Sequence, residues 1–440
     1  MTTTLTADDI QRAGAPLEKA LVPFMRRFPG ESGARQPVHT VYGGAHLFKS
    51  DTTQKLGLLA LRALNDFAPD ASTLAGAIGI DDAKLADIVY ARVIEKLKRE
   101  PVEDFRIDFE DGYGNRPDDE EDGHAAAAAR EVAAGLAAGT LPPFIGIRIK
   151  PFTQELTRRS VRTLDIFLTT LVGAAGTLPP NFVVTLPKIQ LPEQVTMLAD
   201  LYDTLEPRLG LAAGALRLEF MIETTQSILS ENGVSNLPLF LHAARGKAVA
   251  AHFGTYDYTA SCNITAAHQR MDHPACDFAR HMMQVAYAGT GLWLSDGATN
   301  IMPIAPKDVS AEEGRAIVHR AWRLHVDHIR HSLVNAYYQG WDLNPAQLPT
   351  RYAAVYSFFI EGLAAATERL SNFIRKAGQA TLVGDVFDDA ATGQGLLNYF
   401  LRALNCGAIT EEEALATGLT LDELRSRSFV KIMRGRRGVA

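Results

Sequence analysis

Cysteine is scarce in this 440-residue chain. The sequence contains 3 cysteines, Cys262, Cys276 and Cys406. They form no CxxC pair, and an odd number cannot all pair within one chain, which is typical of a protein from a reducing compartment. His252, His268 and His273 lie near the first two cysteines, but the short ligand spacing of structural zinc sites is missing. We therefore expect small buried thiols rather than a zinc site.

Long apolar runs are also missing. No uninterrupted apolar stretch approaches the ~20 residues that a helix needs to span a bilayer, and the alanine-rich segment 125–139 is interrupted by Arg130 and Glu131. The chain does not begin with a basic segment followed by an apolar run and a cleavage site of small residues, as a signal peptide would. The sequence therefore predicts a soluble cytoplasmic protein without a membrane partner.

An excess of positive charge is absent as well. Lysine and arginine number 44 against 51 aspartate and glutamate residues, which gives a formal net charge of −7. A nucleic-acid or anionic-membrane partner would need a basic face, so neither is expected, although such a face could exist locally. Hydrophobic residues at 47% and charged residues at 22% are ordinary globular values and give no reason to expect wholesale disorder.

What the sequence does contain is a recurring alternation of strand-like runs and helical stretches. The strand-like runs lie at 38–44, 104–111, 144–150, 181–189, 216–224, 247–257, 291–297 and near Gly340 and Trp341. Helical segments are predicted at 52–65, 124–138, 154–172, 192–206, 225–232 and 275–288. Eight strand–helix units in succession imply parallel strands with helical crossovers, in a closed barrel or a doubly wound open sheet.

The chemistry of the strand ends favours the closed barrel. Polar residues collect at the carboxyl ends of most predicted strands, where barrel enzymes build their sites. A dinucleotide-binding open sheet would carry a glycine-rich first turn, and the segment VYGGAH at 41–46 contains no GxGxxG. We predict a (β/α)8 barrel with an N-terminal helical lead-in over 1–350. A helical extension over 351–440, without strand-like runs, is expected to pack on the barrel, cap its mouth or join subunits.

Two acidic residues at the ends of neighbouring strands are the candidate metal ligands. Glu223 and Asp257 each stand where a buried apolar strand gives way to polar residues. Adjacent barrel strands place their ends close enough for two carboxylates to share one hard cation, and Mg²⁺ typically takes one or two protein carboxylates together with waters and substrate oxygens. The alternative is structural, with Glu223 at a helix N-terminus and Asp257 in a turn. Their equivalent positions in successive units favour the metal.

Charged residues of both signs end the second and third strands. Period-two alternation puts Arg106, Asp108 and Glu110 on one face of the second strand, and Arg148 and Lys150 on one face of the third. Two acids that point into a barrel are costly unless they are paired or hydrated near a metal. The planar guanidinium of Arg148 suits a substrate carboxylate, and it can also neutralise Asp108 or Glu110. We therefore expect Asp108, Glu110 and Arg148 at the catalytic site.

Polar residues follow other strands as well. Lys188 ends the fourth strand and Asp296 the seventh, and both are candidates for substrate binding, with a structural cation as the alternative for Lys188. A Schiff-base role is rejected for Lys188, because nearby acids would raise the pKa that this chemistry needs lowered. His39 and His46 flank the first strand and could face the mouth. No apolar residues flank the acidic run 118–122, and we expect it to form the solvent-exposed first turn of a helix.

Seven short motifs occur in an order that resembles a known family. They are DFED at 108–111, RIK at 148–150, LPK at 186–188, IET at 222–224, GTYD at 254–257, SDG at 295–297 and NPAQL at 344–348. In this order they resemble the citrate lyase β-subunit-like (HpcH/HpaI aldolase) family. That family belongs to the pyruvate/phosphoenolpyruvate-binding barrels, with malyl-CoA lyase and malate synthase as relatives. The resemblance covers roughly residues 38–350.

The resemblance carries expectations about the chemistry. It implies a divalent metal on Glu223 and Asp257, usually Mg²⁺ with Mn²⁺ as the alternative, and a substrate carboxylate on Arg148. It also implies that the metal stabilises an enolate formed in carbon–carbon cleavage or condensation. This agrees with the residues themselves, because a cation beside a developing oxyanion acts as a Lewis acid. The habit of the family further suggests a homo-oligomer.

The chain departs from the family pattern in places that concern the substrate. Lys150 stands where a small polar residue is usual, Asn344 replaces the histidine before the proline, and the first strand is unlike the usual start. In relatives that use CoA, an aspartate near the C-terminus acts as the acid/base. Asp385, Asp388 and Asp389 stand in a comparable place, and Asp388 is taken as the candidate.

The sequence thus predicts a magnesium-dependent lyase or aldolase that acts on a small carboxylic acid, a 2-oxo acid or its aldol product. A lyase or synthase for CoA esters is the second hypothesis, with a CoA ester as the partner. A third is a barrel that binds a carboxylate without catalysis. The joint presence of Glu223, Asp257 and Arg148 disfavours the third hypothesis.

Overall fold

The centre of the molecule is a closed barrel of eight parallel strands in sequence order, with the first strand paired to the eighth. The computed structural model describes residues 3–375, 381–383, 386–388 and 390–436. The strands are β1 (His39–Gly44), β2 (Asp104–Asp108), β3 (Phe144–Arg148), β4 (Phe182–Leu186), β5 (Leu218–Ile222), β6 (Ala248–Phe253), β7 (Trp293–Ala298) and β8 (Gln339–Asp342). The predicted (β/α)8 barrel with C-terminal helices is confirmed.

Helices surround the barrel and continue beyond it. Up to β8 they are α1 (Ala7–Arg27), α2 (Thr52–Phe67), α3 (Ala71–Ile78), α4 (Ala83–Arg99), α5 (Asp118–Ala138), α6 (Thr157–Ala175), α7 (Pro192–Arg208), α8 (Thr225–Ile228), α9 (Leu237–Ala243), α10 (Thr255–Ser261), α11 (Pro274–Tyr287) and α12 (Ala311–Val334). After β8 they are α13 (Leu348–Glu361), α14 (Leu363–Arg375), α15 (Ala390–Asn405), α16 (Glu411–Leu415), α17 (Leu421–Arg425) and α18 (Phe429–Arg436). Within the described ranges, no helix is both long enough and apolar enough to cross a membrane.

All eight predicted strands are present, but several end earlier than the apolar pattern suggests. β2 is the clearest case, since its predicted run continued to residue 111 and the strand ends at Asp108. The carboxylate of Asp108 accepts the backbone N–H groups of Glu110 at 2.9 Å and of Gly112 at 2.7 Å. These bonds turn the chain away from the sheet, as aspartate side chains commonly do in turns. The residues that follow the strand therefore lie across the barrel mouth.

Three details of the predicted pattern were wrong. The helix expected over 225–232 stops at Ile228, because Leu229 forms an antiparallel bridge with Ser235. The acidic run 118–122 does begin α5, but Glu121 is fully buried and accepts hydrogen bonds from Lys150 and Thr163. The C-terminal region was expected to lack strands, yet β9 (Thr381–Val383) and β10 (Val386–Asp388) form a short antiparallel pair.

The interior of the barrel holds a buried ionic layer below the mouth. Arg106 of β2 donates to Glu219 of β5, from Nε to Oε1 at 2.8 Å and from Nη2 to Oε2 at 2.7 Å, and it also contacts Asp104. Thr185 of β4 lies in the same layer, within 3.2 Å of the Arg106 Nε. Charges removed from water are tolerated when they are mutually paired and hydrogen-bonded. This layer takes the place of the bulky branched side chains that usually fill such barrels.

The chain after β8 first completes the barrel's outer layer. α13 is almost entirely buried and packs against α4 and α12, the position of an eighth barrel helix. The later helices pack on this layer, and Arg92 of α4 is paired with Glu413 of α16 at 2.8 Å. Residue 350 lies within α13, and the division between a barrel domain and an extension at that residue stays a prediction.

Candidate active site

The carboxyl ends of β2 to β6 bring seven charged side chains together, which we call the mouth cluster. Its members are Asp108, Glu110, Asp111, Arg148, Lys188, Glu223 and Asp257. Six of them were candidate site residues from the sequence, and Asp111 joins them as the neighbour of Glu110. Carboxyl ends of parallel barrel strands converge on one face, which is why residues far apart in sequence meet here.

Arg148 lies between acids on one side and an aromatic ring on the other. Its Nε and Nη2 donate to the two carboxylate oxygens of Asp108 at 2.8 and 2.6 Å, and its Nη1 lies 3.0 Å from Glu110. The guanidinium also lies over the ring of Tyr42, 4.9 Å from its centroid. Burial opposes the charge of Arg148, but Asp108 and Glu110 outweigh burial and raise its pKa. The guanidinium is therefore a fixed, permanent cation at the mouth.

Lys188 contributes both its backbone and its side chain to the mouth cluster. Its backbone has φ of 51°, in the left-handed region that side-chain-bearing residues rarely adopt. Its N–H donates to Glu223 at 2.7 Å, while its ammonium contacts Glu110 and lies 3.3 Å from Asp257. Burial acts against the charged ammonium, yet the carboxylates of Glu223 and Glu110 raise its pKa. This agrees with the rejection of a Schiff-base role.

Glu223 and Asp257 differ in their exposure to solvent. Glu223 follows β5 directly and is 1% exposed, whereas the side chain of Asp257, in the first turn of α10, is 41% exposed. The pKa of Glu223 is raised to about 8, mainly by burial; Lys188 opposes this rise and Asp257 contributes to it. Gly254 packs closely here, because a Cβ at that position would lie 2.5 Å from the Cβ of Glu223. The backbone between β6 and α10 thus holds the Glu223 carboxyl in place.

The donor set at Glu223 and Asp257 fits a hard divalent cation. Both ligands are carboxylates, the kind of donor that Mg²⁺ prefers, and one or two from the protein are enough when waters and substrate complete the shell. Burial among other acids destabilises the Glu223 carboxylate, and a bound cation would offset that repulsion. Within the described ranges, no group of three or more histidine, cysteine or acidic side chains could hold a metal. A closed all-protein site is therefore not what these residues provide.

Asp296 lies outside the mouth cluster. Its carboxylate is fully buried and accepts hydrogen bonds from Arg280 of α11, at 2.7 and 2.9 Å, and from Ser332 of α12 at 2.6 Å. These partners belong to the outer helices, so Asp296 joins β7 to its helical layer. The sequence had assigned it to substrate binding, and the structure places it on the other face of the strand.

Two further candidates also face away from the mouth cluster. Lys150 donates to Glu121 and to the carbonyl of Phe109, both at 2.7 Å, and so neutralises the start of α5. His39 is fully buried, with Nδ1 2.7 Å from Asp342 and Nε2 accepting the N–H of Glu103 at 3.1 Å. Lys150 thus connects the end of β3 to α5, and His39 connects β1 to Asp342 of β8.

His46 lies beside the mouth, where two aromatic partners surround it. Its ring packs 5.6 Å from that of Tyr113 and 6.1 Å from that of His124, and the Tyr113 hydroxyl lies 2.8 Å from His124 Nδ1. Burial lowers the pKa of His46, and Arg116 and His124 lower it further. Gly44 is required here, since a Cβ would lie 2.4 Å from the carbonyl of Gly112.

Tyr42 is the residue of this site that the sequence did not suggest. Its ring contacts the Arg148 guanidinium and the ring of Trp341, 4.6 Å away between centroids. Its position one residue before the paired glycines at the end of β1 was the available signal. A lone tyrosine in a strand is ordinary core composition, so the signal was weak.

The three C-terminal aspartates remain untested. Asp385 and Asp389 lie outside the described residues. Asp388 belongs to β10, and its side chain lies outside the described part of the structure.

Comparisons with known proteins relate this chain to one family model and to several solved structures. The model described as a domain of unknown function (DUF6986) matches residues 17–432. A citrate lyase from Burkholderia xenovorans LB400 is 18% identical, with a TM-score of 0.59 over 88% of this chain and 100% of that chain. A malate synthase from Haloferax volcanii, in a lead(II) complex, is 12% identical, with a TM-score of 0.47 over 92% and 98%. A comparison with curated protein sequences gave no match. The likeness to the citrate lyase concerns the fold.

Proposed function

The chain belongs to the DUF6986 family, and for this member we propose a metal-dependent carbon–carbon lyase that acts on a small carboxylic acid. One observation carries the proposal. A buried arginine with a raised pKa, Arg148, lies in the same cluster as the two carboxylates Glu223 and Asp257. An anion site next to a hard-cation site is what a reaction passing through a carboxylate-bearing enolate requires. The order of the sequence motifs and the shared barrel support the proposal.

In this proposal Arg148 binds the substrate carboxylate. Asp108 holds its Nε and Nη2, and Tyr42 lies against its face. The remaining Nη1 lies toward Glu110, at 3.0 Å, and toward Asp111, at 3.7 Å. A substrate carboxylate would take the place of these acids on Nη1, because a guanidinium presents donors in a fixed fork. The substrate is thereby oriented before any bond breaks.

Glu223 and Asp257 would hold the metal, proposed to be Mg²⁺ or Mn²⁺. When bound, the cation would supply Lewis-acid stabilisation of the negative charge that develops on the enolate oxygen. Lys188 holds Glu223 through its backbone N–H and lies 3.3 Å from Asp257. It would therefore keep both carboxylates in place and reduce their mutual repulsion.

Cleavage of a carbon–carbon bond beside a hydroxyl also needs a group that accepts the hydroxyl proton. We propose Asp388 for this role, with Asp385 and Asp389 as the neighbours to be tested beside it. We further propose that the protein works in the cytoplasm as a homo-oligomer and that the substrate is a free acid rather than a CoA ester.

A substrate screen tests the proposed function. The purified protein is incubated with Mg²⁺ and a panel of hydroxylated 2-oxo acids and acyl-CoA esters, and pyruvate, glyoxylate and free thiol are measured. We expect release of a 2-oxo acid from at least one free acid, and at least tenfold slower release by Arg148→Lys under the same conditions. If only CoA esters are turned over, the substrate is a CoA ester and the proposal of a free acid is wrong. Tight binding of carboxylates without turnover of any of them would favour a binding protein and overturn the lyase.

A further inference from the structure

A large cavity lies at the end of the barrel opposite the mouth cluster. It encloses about 940 Å³ and is walled by the first residues of six strands, Asp104, Phe144, Phe182, Ala248, Trp293 and Gln339. The last turn of α1, with the exposed residues Arg26 and Arg27, borders it, and Arg217 lines it from the segment before β5. Sites for small organic ligands occupy roughly 300–1,000 Å³. The cavity is therefore large enough for a ligand of nucleotide size.

Two of the cations at this cavity are neutralised by the protein. Arg106 is held by Asp104 and Glu219, the two acidic residues that line the cavity. Arg245 at the rim is paired with Asp200 at 2.7 Å and with Asp203 at 3.1 Å. The two acidic residues that line the cavity are thus both engaged with Arg106.

Three further arginines line the same cavity. Arg26, Arg27 and Arg217 have no hydrogen bond or ion pair through their side chains to any part of the chain that the structure describes. Guanidinium groups gathered on one concave surface raise the local positive potential. Their forked donors match phosphate oxygens in pairs. The arrangement is thus suited to a ligand that carries more than one negative charge.

The wall beside these arginines is aromatic. Phe144 and Trp293 meet edge to face, with ring centroids 5.9 Å apart. Trp293 lines the cavity together with Phe144. Aromatic side chains of this kind are the usual platform for a planar heterocycle.

We propose that this cavity, which we call the basal site, binds a small phosphorylated ligand with a planar heterocyclic ring, of the nucleoside diphosphate class. The phosphates contact Arg26, Arg27 and Arg217, and the ring lies against Phe144 and Trp293. The basal site is separate from the mouth cluster, because its strand residues come from the amino ends of the strands and the mouth residues from the carboxyl ends.

Calorimetric titration of the full-length protein with ADP tests the proposal. EDTA is present throughout, so that no divalent metal can link the nucleotide to the mouth cluster. We expect one ADP per chain and at least a tenfold loss of affinity in Arg217→Gln and in the double variant Arg26→Gln/Arg27→Gln. Arg320→Gln, which removes an exposed arginine of α12, is the matched control and should bind as the wild type does. Circular dichroism verifies that each variant is folded.

Two further measurements distinguish the proposed ligand from other ligands of the cavity. Inorganic pyrophosphate should bind at least tenfold more weakly than ADP, and Trp293→Phe should weaken ADP but not pyrophosphate. Equal affinity for ADP and pyrophosphate would overturn the assignment of a planar ring. Binding that Arg148→Lys abolishes and Arg217→Gln leaves intact would place the nucleotide at the mouth and overturn the basal site. Absence of ADP binding at millimolar concentration would overturn it as well.

Discussion

Asp108 and Arg148 are paired twice, as register partners in β2 and β3 and through two hydrogen bonds of 2.8 and 2.6 Å between their side chains. Residues in register on neighbouring parallel strands face the same side of the sheet, so the pair follows directly from the strand alignment. The cost of placing an arginine at the buried mouth is offset by this carboxylate. The guanidinium thereby keeps one orientation and presents Nη1 to the mouth.

Replacement of this arginine by lysine tests its role in substrate binding. We expect Arg148→Lys to lower kcat/KM by roughly 10- to 100-fold, since a lost hydrogen bond to a charged group is worth about 1.5–3 kcal/mol and ~1.4 kcal/mol corresponds to a factor of ten. The ammonium keeps the charge but not the fork. Steady-state kinetics checks this, and an unchanged kcat/KM would remove Arg148 from the substrate site.

A methyl group at Gly254 tests whether the position of Glu223 matters. Gly254→Ala would place a Cβ 2.5 Å from both the Cβ and Oε2 of Glu223, so the carboxyl must move. A displacement of about 1 Å at a catalytic group can cost ~100-fold in rate, and we expect a loss of that order. Gly173→Ala in α6 is the control, because a Cβ there meets nothing within 4 Å. Equal activity of the two variants would contradict the role of Glu223.

The ionic layer inside the barrel is expected to matter for stability. Glu219→Gln leaves Arg106 with Asp104 as its remaining acidic partner in a buried setting. Removal of one partner of a buried ion pair typically costs about 3–5 kcal/mol, which should appear as a lower urea midpoint. Glu193→Gln, at an exposed position of α7, is the control and should change stability by less than about 0.5 kcal/mol. A Glu219→Gln variant as stable as the control would show that this layer does not hold the barrel together.

The C-terminal acids can be tested one at a time. Alanine at Asp388 is expected to lower turnover by roughly 100- to 10,000-fold, the range for a lost general acid or base, with the thermal midpoint unchanged. Asp385→Ala and Asp389→Ala, measured in parallel, show whether a neighbour carries the role instead. Loss of stability with normal specific activity, or normal behaviour of all three variants, would assign the acids to helix capping.

The sequence predicted the barrel and much of the mouth cluster for a physical reason. Buried parallel strands are near-continuous apolar runs bounded by polar residues. The number of strands and their approximate ends can therefore be predicted from the sequence pattern. The carboxyl ends of parallel barrel strands converge on one face. The sequence alone could therefore assign four charged residues to one site without the strand register: Arg148, Lys188, Glu223 and Asp257. The grouping required only that the strands be parallel.

Side-chain direction could not be read with the same accuracy. Ser295 is the register partner of His252, and His252 faces the barrel interior, where its ring contacts Glu219 at 3.2 Å. The next residue, Asp296, must therefore face the helices. The sequence does not give the strand register. An uncertainty of one residue in β7 was therefore enough for Asp296 to be predicted at the barrel mouth instead of facing the helices.

The sequence also could not predict which charged residues of the helices are buried. Glu121 sits in a run of acids that has the composition of a solvated helix start. It is buried because Lys150 leaves the end of β3 toward α5 and pairs with it at 2.7 Å. That contact depends on how the β3 strand and the α5 helix pack, which local patterns do not encode. The cavity of the proposed basal site could not be predicted for a similar reason, since Arg26, Arg27 and Arg217 line one cavity only in the folded chain.

Metal dependence of turnover tests the central claim most directly. The protein is stripped of metal with EDTA, metal removal is verified by elemental analysis, and cleavage of the best substrate from the screen is measured before and after addition of Mg²⁺. We predict no turnover without metal, recovery with Mg²⁺ in the wild type, and no recovery in Glu223→Gln or Asp257→Asn that remain folded. Full turnover by the verified metal-free protein would contradict a metal-dependent lyase at the mouth cluster.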